Sequence, residues 1–355
     1  MAREHIGFAR GTCRSPASAR HVTIGAMNER ITDRVVTIGG GSGTFAMLSE
    51  LRKVADHLWA VVAMTDSGGS SRRLMDEFGQ PLPLGDLRQA LVALSPSSRL
   101  WREVFSYRFP AGPNGAVGGH ALGNLILHAL QDRRGGDLLA ALADAEQMLS
   151  AAGRVVPVTL DQATLCAVLD DGSVVRGEAA IDCPDGRPVR PIERVYLEPP
   201  ARATPQACEA LRAADKVLIG PGDLYTSLVP CLLVEGVADA LRDCRGEVVY
   251  ICNVMTKHGE TDGYAAPDFV RVIQSYLGRR VDTVVVNDAP PAAPVADRYA
   301  RQGARPVDAE VERLRSLGAA IVAGPFVCVE SLVRHDARRV LRALWPRLAL
   351  ASDAG

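Results

Sequence analysis

A chain of 355 residues can bury a large core, and 47% hydrophobic with 23% charged residues is an ordinary balance for a globular protein. A net charge of −1, scattered Lys and Arg and only 5% aromatic residues exclude the usual basic face for nucleic acid. No run approaches the ~18 apolar residues of a membrane-spanning helix. The eight cysteines form no C-x-x-C pair or other metal-ligand spacing, which suits buried thiols in a reducing compartment.

In chain order, residues 1–26 are basic and polar without an apolar core, unlike a secretory signal. They read as a disordered leader or an over-long start ahead of Met27, and their Arg-rich, acid-poor composition also suits a transit peptide. The leader is taken to residue 33, one domain spans 34–345, and 346–355 form a tail. "VVTIGG" from Val35 is strand-like, "FAMLSELRKV" has helical spacing, and "LWAVVAMTD" is a second strand ending on Asp66. "GDLRQALVALS", "HALGNLILHALQD" and "GDLLAALADAEQMLSAAG" read as helices, the last closed by Gly153. Residues 155–200 alternate apolar and polar, with Asp171-Gly172 a hairpin turn, and predict an antiparallel insertion. "KVLIGPGDLYTS", "EVVYICNVMT", "VDTVVVND" and "AAIVAGPFV" then resume strand–helix alternation, and "HDARRVLRALW" is a closing amphipathic helix. The expected fold is α/β: a Rossmann-like, doubly wound, mostly parallel sheet with a small antiparallel insertion.

Ligands of such a sheet collect at the carboxyl ends of its strands, and four loops there stand out. The first holds Gly40, Gly41, Ser42, Gly43 and Thr44. Gly41-x-Gly43-x-x-Ala46 meets the relaxed dinucleotide fingerprint, with Asp66 placed to accept from a ribose hydroxyl; no Lys-Ser/Thr pair makes it a P-loop. A merely tight turn would read the same. The second loop offers Gly69, Ser70 and Ser71 to an anion, with Arg73 as a clamp, while Asp66 suits a divalent metal instead. The third sets Gly222 before Tyr225 and Thr226, Tyr225 stacking on a base or sitting in the core. The fourth crowds Asn253, Thr256, Glu260, Thr261, Asp262 and Tyr264 at one strand end, costly to bury without a ligand. Asp86 reads as a helix N-cap. His120 and Asn124 fall four apart on one helical face, facing a substrate or satisfied in the core.

Eight segments, among them "VVTIGGGSGT", "TDSGGSSRRL", "HALGNLIL", "IGPGDLYTSLVPCLLV" and "CNVMTKHGETDGY", resemble in order those of the gluconeogenesis factor family (YvcK-like), within the wider group around 2-phospho-L-lactate transferase (CofD-like). The resemblance spans Val35 to Leu344. It implies a Rossmann-like fold, cytoplasmic residence, binding of a nucleotide sugar such as UDP-N-acetylglucosamine, and a role in carbon metabolism and cell-shape or cell-wall control. By the same resemblance Tyr264 matches a nucleotide-sugar position and Arg298 a downstream family arginine. The transferase relatives move a phospho-lactyl group from a guanosine diphosphate donor to a deazaflavin with Mg²⁺. The chain departs from the family after "GGSS", where Arg72-Arg73 replaces Gly-Arg and Met75 replaces a basic residue.

The leading expectation is a regulatory protein that binds a nucleotide sugar or nucleoside diphosphate and requires no cofactor. Two loops would hold the diphosphate, the third the base and "GETDGY" the sugar. No nucleophile is paired with a base, so no catalytic residue and no metal ligand is assigned; Ser70, His120 and Asp66 make a triad on spacing alone. A second reading is a phospho-lactate-type transferase with Mg²⁺ on Asp66. A third is an NAD oxidoreductase resting on the relaxed fingerprint. A regulatory protein partner and a homo-oligomer complete the expectations.

Overall fold

The computed structural model describes residues 30–65, 79, 82–96, 99–110, 117–182, 189–329 and 333–348. The chain opens with β1 (Ile31–Gly39), starting inside the stretch expected to be leader, then α1 (Gly41–Val54) and β2 (Ala55–Val62). Four helices follow: α2 (Gly85–Leu94), α3 (Arg99–Ser106), α4 (Leu122–Arg133) and α5 (Leu138–Met148). Next come β3 (Arg154–Pro157), β4 (Thr164–Leu169), β5 (Val174–Arg176), α6 (Glu178–Asp182), β6 (Ile192–Glu198) and α7 (Pro205–Ala213). β7 (Lys216–Ile219) leads into a π-helical turn, Leu224–Leu228, continued by α8 (Val229–Leu232). The rest runs α9 (Val237–Asp243), β8 (Glu247–Ile251), α10 (Ala266–Leu277), β9 (Thr283–Asn287), α11 (Ala293–Ala300), α12 (Val311–Arg315), β10 (Ala320–Gly324), β11 (Val327–Val329), β12 (Val333–His335) and α13 (Ala337–Leu344).

Seven strands form one parallel sheet in the order β10-β9-β8-β7-β1-β2-β3. Its central strands are largely apolar, as helices on both faces demand: Val35, Ile38, Val217, Leu218, Val248 and Val249 are all fully buried, with Thr37 a buried polar exception in β1. Local chemistry sets the helix ends. Thr204 accepts from the Ala207 N–H to cap α7, and Asp336 accepts from the Arg339 N–H to cap α13. In α10, Pro267 occupies the first turn and Asp268 reaches back to the Ala265 N–H at 2.8 Å.

The doubly wound sheet is the architecture the alternation predicts, and β4, β5 and β6 make the antiparallel insertion. The expected insertion began too early, since β3 joins the main sheet beside β2. Its apolar run, buried from Val155 to Pro157, completes a sheet edge. Three local expectations are corrected. α5 ends at Met148, and the chain turns through left-handed Ser150, not Gly153. α4 begins at Leu122, so His120 precedes the helix instead of sharing a face with Asn124. Leu84, not Asp86, occupies the α2 N-cap, leaving Asp86 in the first turn, where the helix dipole also favours a carboxylate.

Candidate functional site

β1 and β7 are neighbours, but their chains leave toward opposite edges of the sheet, which makes the switch point where such folds bind ligands. A cavity of about 510 Å³ opens there. Ser42 and Gly43 at the start of α1 and Pro221 and Gly222 after β7 form its floor. The segment after β8 from Asn253 to His258, Tyr299 on α11, and β12 supply its walls.

Missing side chains let the two glycine loops close on each other. A Cβ on Gly43 would lie 2.7 Å from the Pro221 carbonyl oxygen, and one on Gly40 would collide with the Asp86 carboxylate. The Thr44 hydroxyl donates to the Pro221 carbonyl at 3.0 Å, and Asn253 Nδ2 donates to the Gly222 carbonyl at 2.8 Å. The α1 N-cap is Gly40, which has no side chain to satisfy the first-turn N–H groups. The positive end of the helix therefore faces the cavity through Ser42 and Gly43, an arrangement suited to phosphate.

A charge cluster built from three distant segments borders the floor. Lys257 Nζ pairs with Asp182 of α6, with Asp223 at 2.7 Å, and with Glu260 at 3.4 Å. Glu260 is buried and accepts from the Tyr225 N–H at 3.1 Å and the Thr226 hydroxyl at 2.9 Å. Burial pushes the Glu260 carboxyl up to about 7, against the pull of Lys257. Burial works to lower the Lys257 pKa, but Glu260, Asp223 and Asp182 overcome it and hold the ammonium charged. The three carboxylates, with oxygens within 4.8 Å of one another, form an all-oxygen set of the kind that takes Mg²⁺. The Lys257 ammonium already stands among them, so the trio as placed does not fit a metal. On the opposite wall, burial pushes His335 down to about 4. Its Nε2–H donates to the Cys252 carbonyl at 3.0 Å, since a carbonyl can only accept.

Of the residues singled out from sequence, Ser42, Gly43, Gly222 and Asn253 line the cavity, with Gly40, Gly41 and Thr44 shaping the loop beneath. Tyr225, Thr226 and Thr261 are buried behind the wall. The Tyr225 hydroxyl meets that of Tyr264 at 2.9 Å, and Tyr264 stands edge-on to Phe269 at 5.5 Å. Asp262 bonds His258 at 3.0 Å and the Gly259 N–H at 2.7 Å. Arg298 is exposed, its guanidinium 5.6 Å above the Tyr299 ring. His120 is buried outside the helix, and Asn124 accepts from Arg88 Nε at 2.9 Å. Asp66, Gly69, Ser70, Ser71 and Arg73 lie outside the described residues.

Sequence reasoning passed over Lys257, Asp182, Arg334 and His335. Asp182 and Lys257 are 75 positions apart and Cys252 and His335 are 83, in segments with no local motif. Only the excess of polar groups after β8 hinted at the cluster.

Fold and site together define a Rossmann-like α/β protein with an anion-ready cleft at its switch point. A family model described as 2-phospho-L-lactate transferase CofD matches residues 35–327. The chain is 40% identical to a putative gluconeogenesis factor of a Nostoc species, over 88% of this chain and 68% of that protein. It is 36% identical to the gluconeogenesis factor of Bacillus subtilis, over 88% of this chain and 96% of that one. A crystal structure from Bacillus halodurans, described as a member of the UPF0052 family, superimposes with a TM-score of 0.83 at 36% identity, covering 88% of this chain and all of that one. This chain belongs to the CofD family, among the proteins that carry the name gluconeogenesis factor. Among the described residues no helix is long and apolar enough to cross a membrane.

Proposed function

We propose that the cleft between the β1 and β7 loops binds a nucleotide sugar of the UDP-N-acetylglucosamine type, and that the protein is a cytoplasmic regulator of carbon metabolism and cell shape. The carrying observation is the uncapped start of α1 opening, through Ser42 and Gly43, onto a cavity floored by a second glycine loop. The polar groups of Asn253, Thr256 and Gln302 on its rim suit a sugar's hydroxyls. Calorimetric titration with UDP-N-acetylglucosamine, GDP and NAD, each with and without Mg²⁺, tests the reading. Metal-independent binding of the UDP-sugar without turnover is the expected result.

Membership of the CofD family favours one other reading, a transferase with a guanosine diphosphate donor. Mg²⁺-dependent binding of GDP, with no affinity for the UDP-sugar, would establish it in place of the first.

A further inference from the structure

The two edges of the main sheet are finished differently. β3 closes one edge with the short run Arg154–Pro157, where Arg154 pairs with Glu146 and Pro157 has no N–H to offer a further strand. β10 closes the other with Ala320–Gly324, AIVAG, which carries no charge and no proline and pairs with β9 without a bulge. Ala320 and Ala323 are exposed, and Ile321 and Val322 are only partly buried. An uncharged, regular edge of this kind is a template for another strand.

The hydrogen bonds to β9 show which groups face outward. The Ala320 N–H donates to the Asp282 carbonyl at 2.8 Å, and the Gly324 carbonyl accepts from the Asp288 N–H at 3.1 Å. Ala320, Val322 and Gly324 therefore point inward, and the alternation of a strand turns the N–H and C=O groups of Ile321 and Ala323 away from the sheet. Among the described residues no strand pairs with that outer edge.

We propose that β10 pairs antiparallel with β10 of a second copy of this chain, about a twofold axis at Val322, so that one sheet runs through both. The edge complements itself under that operation. Ile321 falls opposite Ala323 of the second copy, and such a pair exchanges both N–H···O=C bonds, a large side chain beside a small one. Val322 falls opposite its own copy on the other face, a β-branched pair of the kind that stabilises cross-strand contacts. The charges at the two ends agree. The Arg280 guanidinium lies against Gly318, just before β10, where an added Cβ would come within 2.5 Å of its Nη1. Asp288 stands beside Gly324 at the far end. Both side chains are exposed, and neither has an ion-pair partner among the described residues. Antiparallel pairing brings Arg280 of each copy to the end that carries Asp288 of the other, whereas parallel pairing would set like charges together.

Sedimentation velocity on the full chain, from sub-micromolar to about 100 μM, tests the pairing, with amide exchange of residues 320–324 followed over the same range. Wild type is expected to dimerise, and the Ile321 and Ala323 amides should gain protection as it does. Ala323→Pro removes an N–H that β9 does not use, so the fold should survive while self-association weakens by about 10-fold or more. Arg280→Asp should weaken it by about 3- to 30-fold, and adding Asp288→Arg to the same chain should restore it. A wild type that stays monomeric throughout overturns the proposal. Association untouched by Ala323→Pro, or a dimer whose 320–324 amides gain no protection, overturns the place of the interface. A double charge variant no tighter than Arg280→Asp alone overturns the antiparallel arrangement. Should Ala323→Pro fail to fold, Ala323→Lys, a charge on the exposed edge, takes its place with the same expected loss, and unchanged association overturns the pairing.

Discussion

Gly43→Ala is the sharpest perturbation of the paired glycine loops. The new methyl carbon would sit 2.7 Å from the Pro221 carbonyl oxygen and 3.1 Å from its carbon, both backbone atoms in the neighbouring loop. Relief requires the β7 loop to retreat by roughly 0.5 Å or more to reach ordinary van der Waals distance. The same movement stretches the 3.0 Å bond from the Thr44 hydroxyl to that carbonyl toward its limit. Overpacking of this kind costs ~1–3 kcal/mol and the weakened bond about 1 kcal/mol more. Better helix propensity at the new alanine returns up to ~1 kcal/mol, leaving a net loss near 2 kcal/mol. An unfolding entropy of ~2.1 cal/mol/K per residue makes that about a 3 °C drop in Tm for a chain of this length. Thermal unfolding and ligand titration should both register the change, with affinity falling because the floor has widened. Gly135→Ala is the control. Gly135 is left-handed at φ +66 with nothing within 4 Å of a new Cβ, so it should lose ~1 kcal/mol and no affinity. A Gly43→Ala protein as stable and as tight-binding as wild type would refute the contact between the loops.

Three further outcomes are expected. Lys257→Met strands Asp182, Asp223 and buried Glu260 without their cation, costing ~3–5 kcal/mol by denaturant titration. Part of that loss should be recovered on acidification, as Glu260 takes up a proton; a pH-independent loss would contradict the cluster. His335 has a folded pKa near 4 against an ordinary 6.5, so the unfolded chain binds the extra proton first as pH falls. Stability should therefore drop between pH 6.5 and 4 by up to about 3 kcal/mol, and His335→Gln should flatten that slope. Tyr264→Phe removes only the 2.9 Å bond to Tyr225 and should cost ~1 kcal/mol, whereas Tyr264→Ala also empties the contact with Phe269 and should cost ~3 kcal/mol or more. Equal losses in the two variants would mean that the ring does not pack there.

The glycine loops were legible because their signal is local. A glycine-rich turn after an apolar strand needs no partner to be read, and the doubly wound pattern places such turns at one end of the sheet. Their mutual contact was not legible, since Thr44 and Pro221 are 177 positions apart and only the β1–β7 pairing joins them. The insertion was visible as alternating residues, but not that its Asp182 reaches Lys257. Charged side chains far apart in sequence carry no periodicity, and their pairing depends on where the fold brings them. Tyr225 shows the same limit from the other side. An aromatic residue at a helix start reads equally as ligand contact or core, and only its 2% exposure places it in the core.

The most direct test is a crystal structure of the protein soaked with UDP-N-acetylglucosamine. Density for the diphosphate is expected beside the Ser42 and Gly43 N–H groups at the start of α1. A ligand seated away from the junction of the β1 and β7 loops, in a crystal where that cleft is open to solvent, would contradict it.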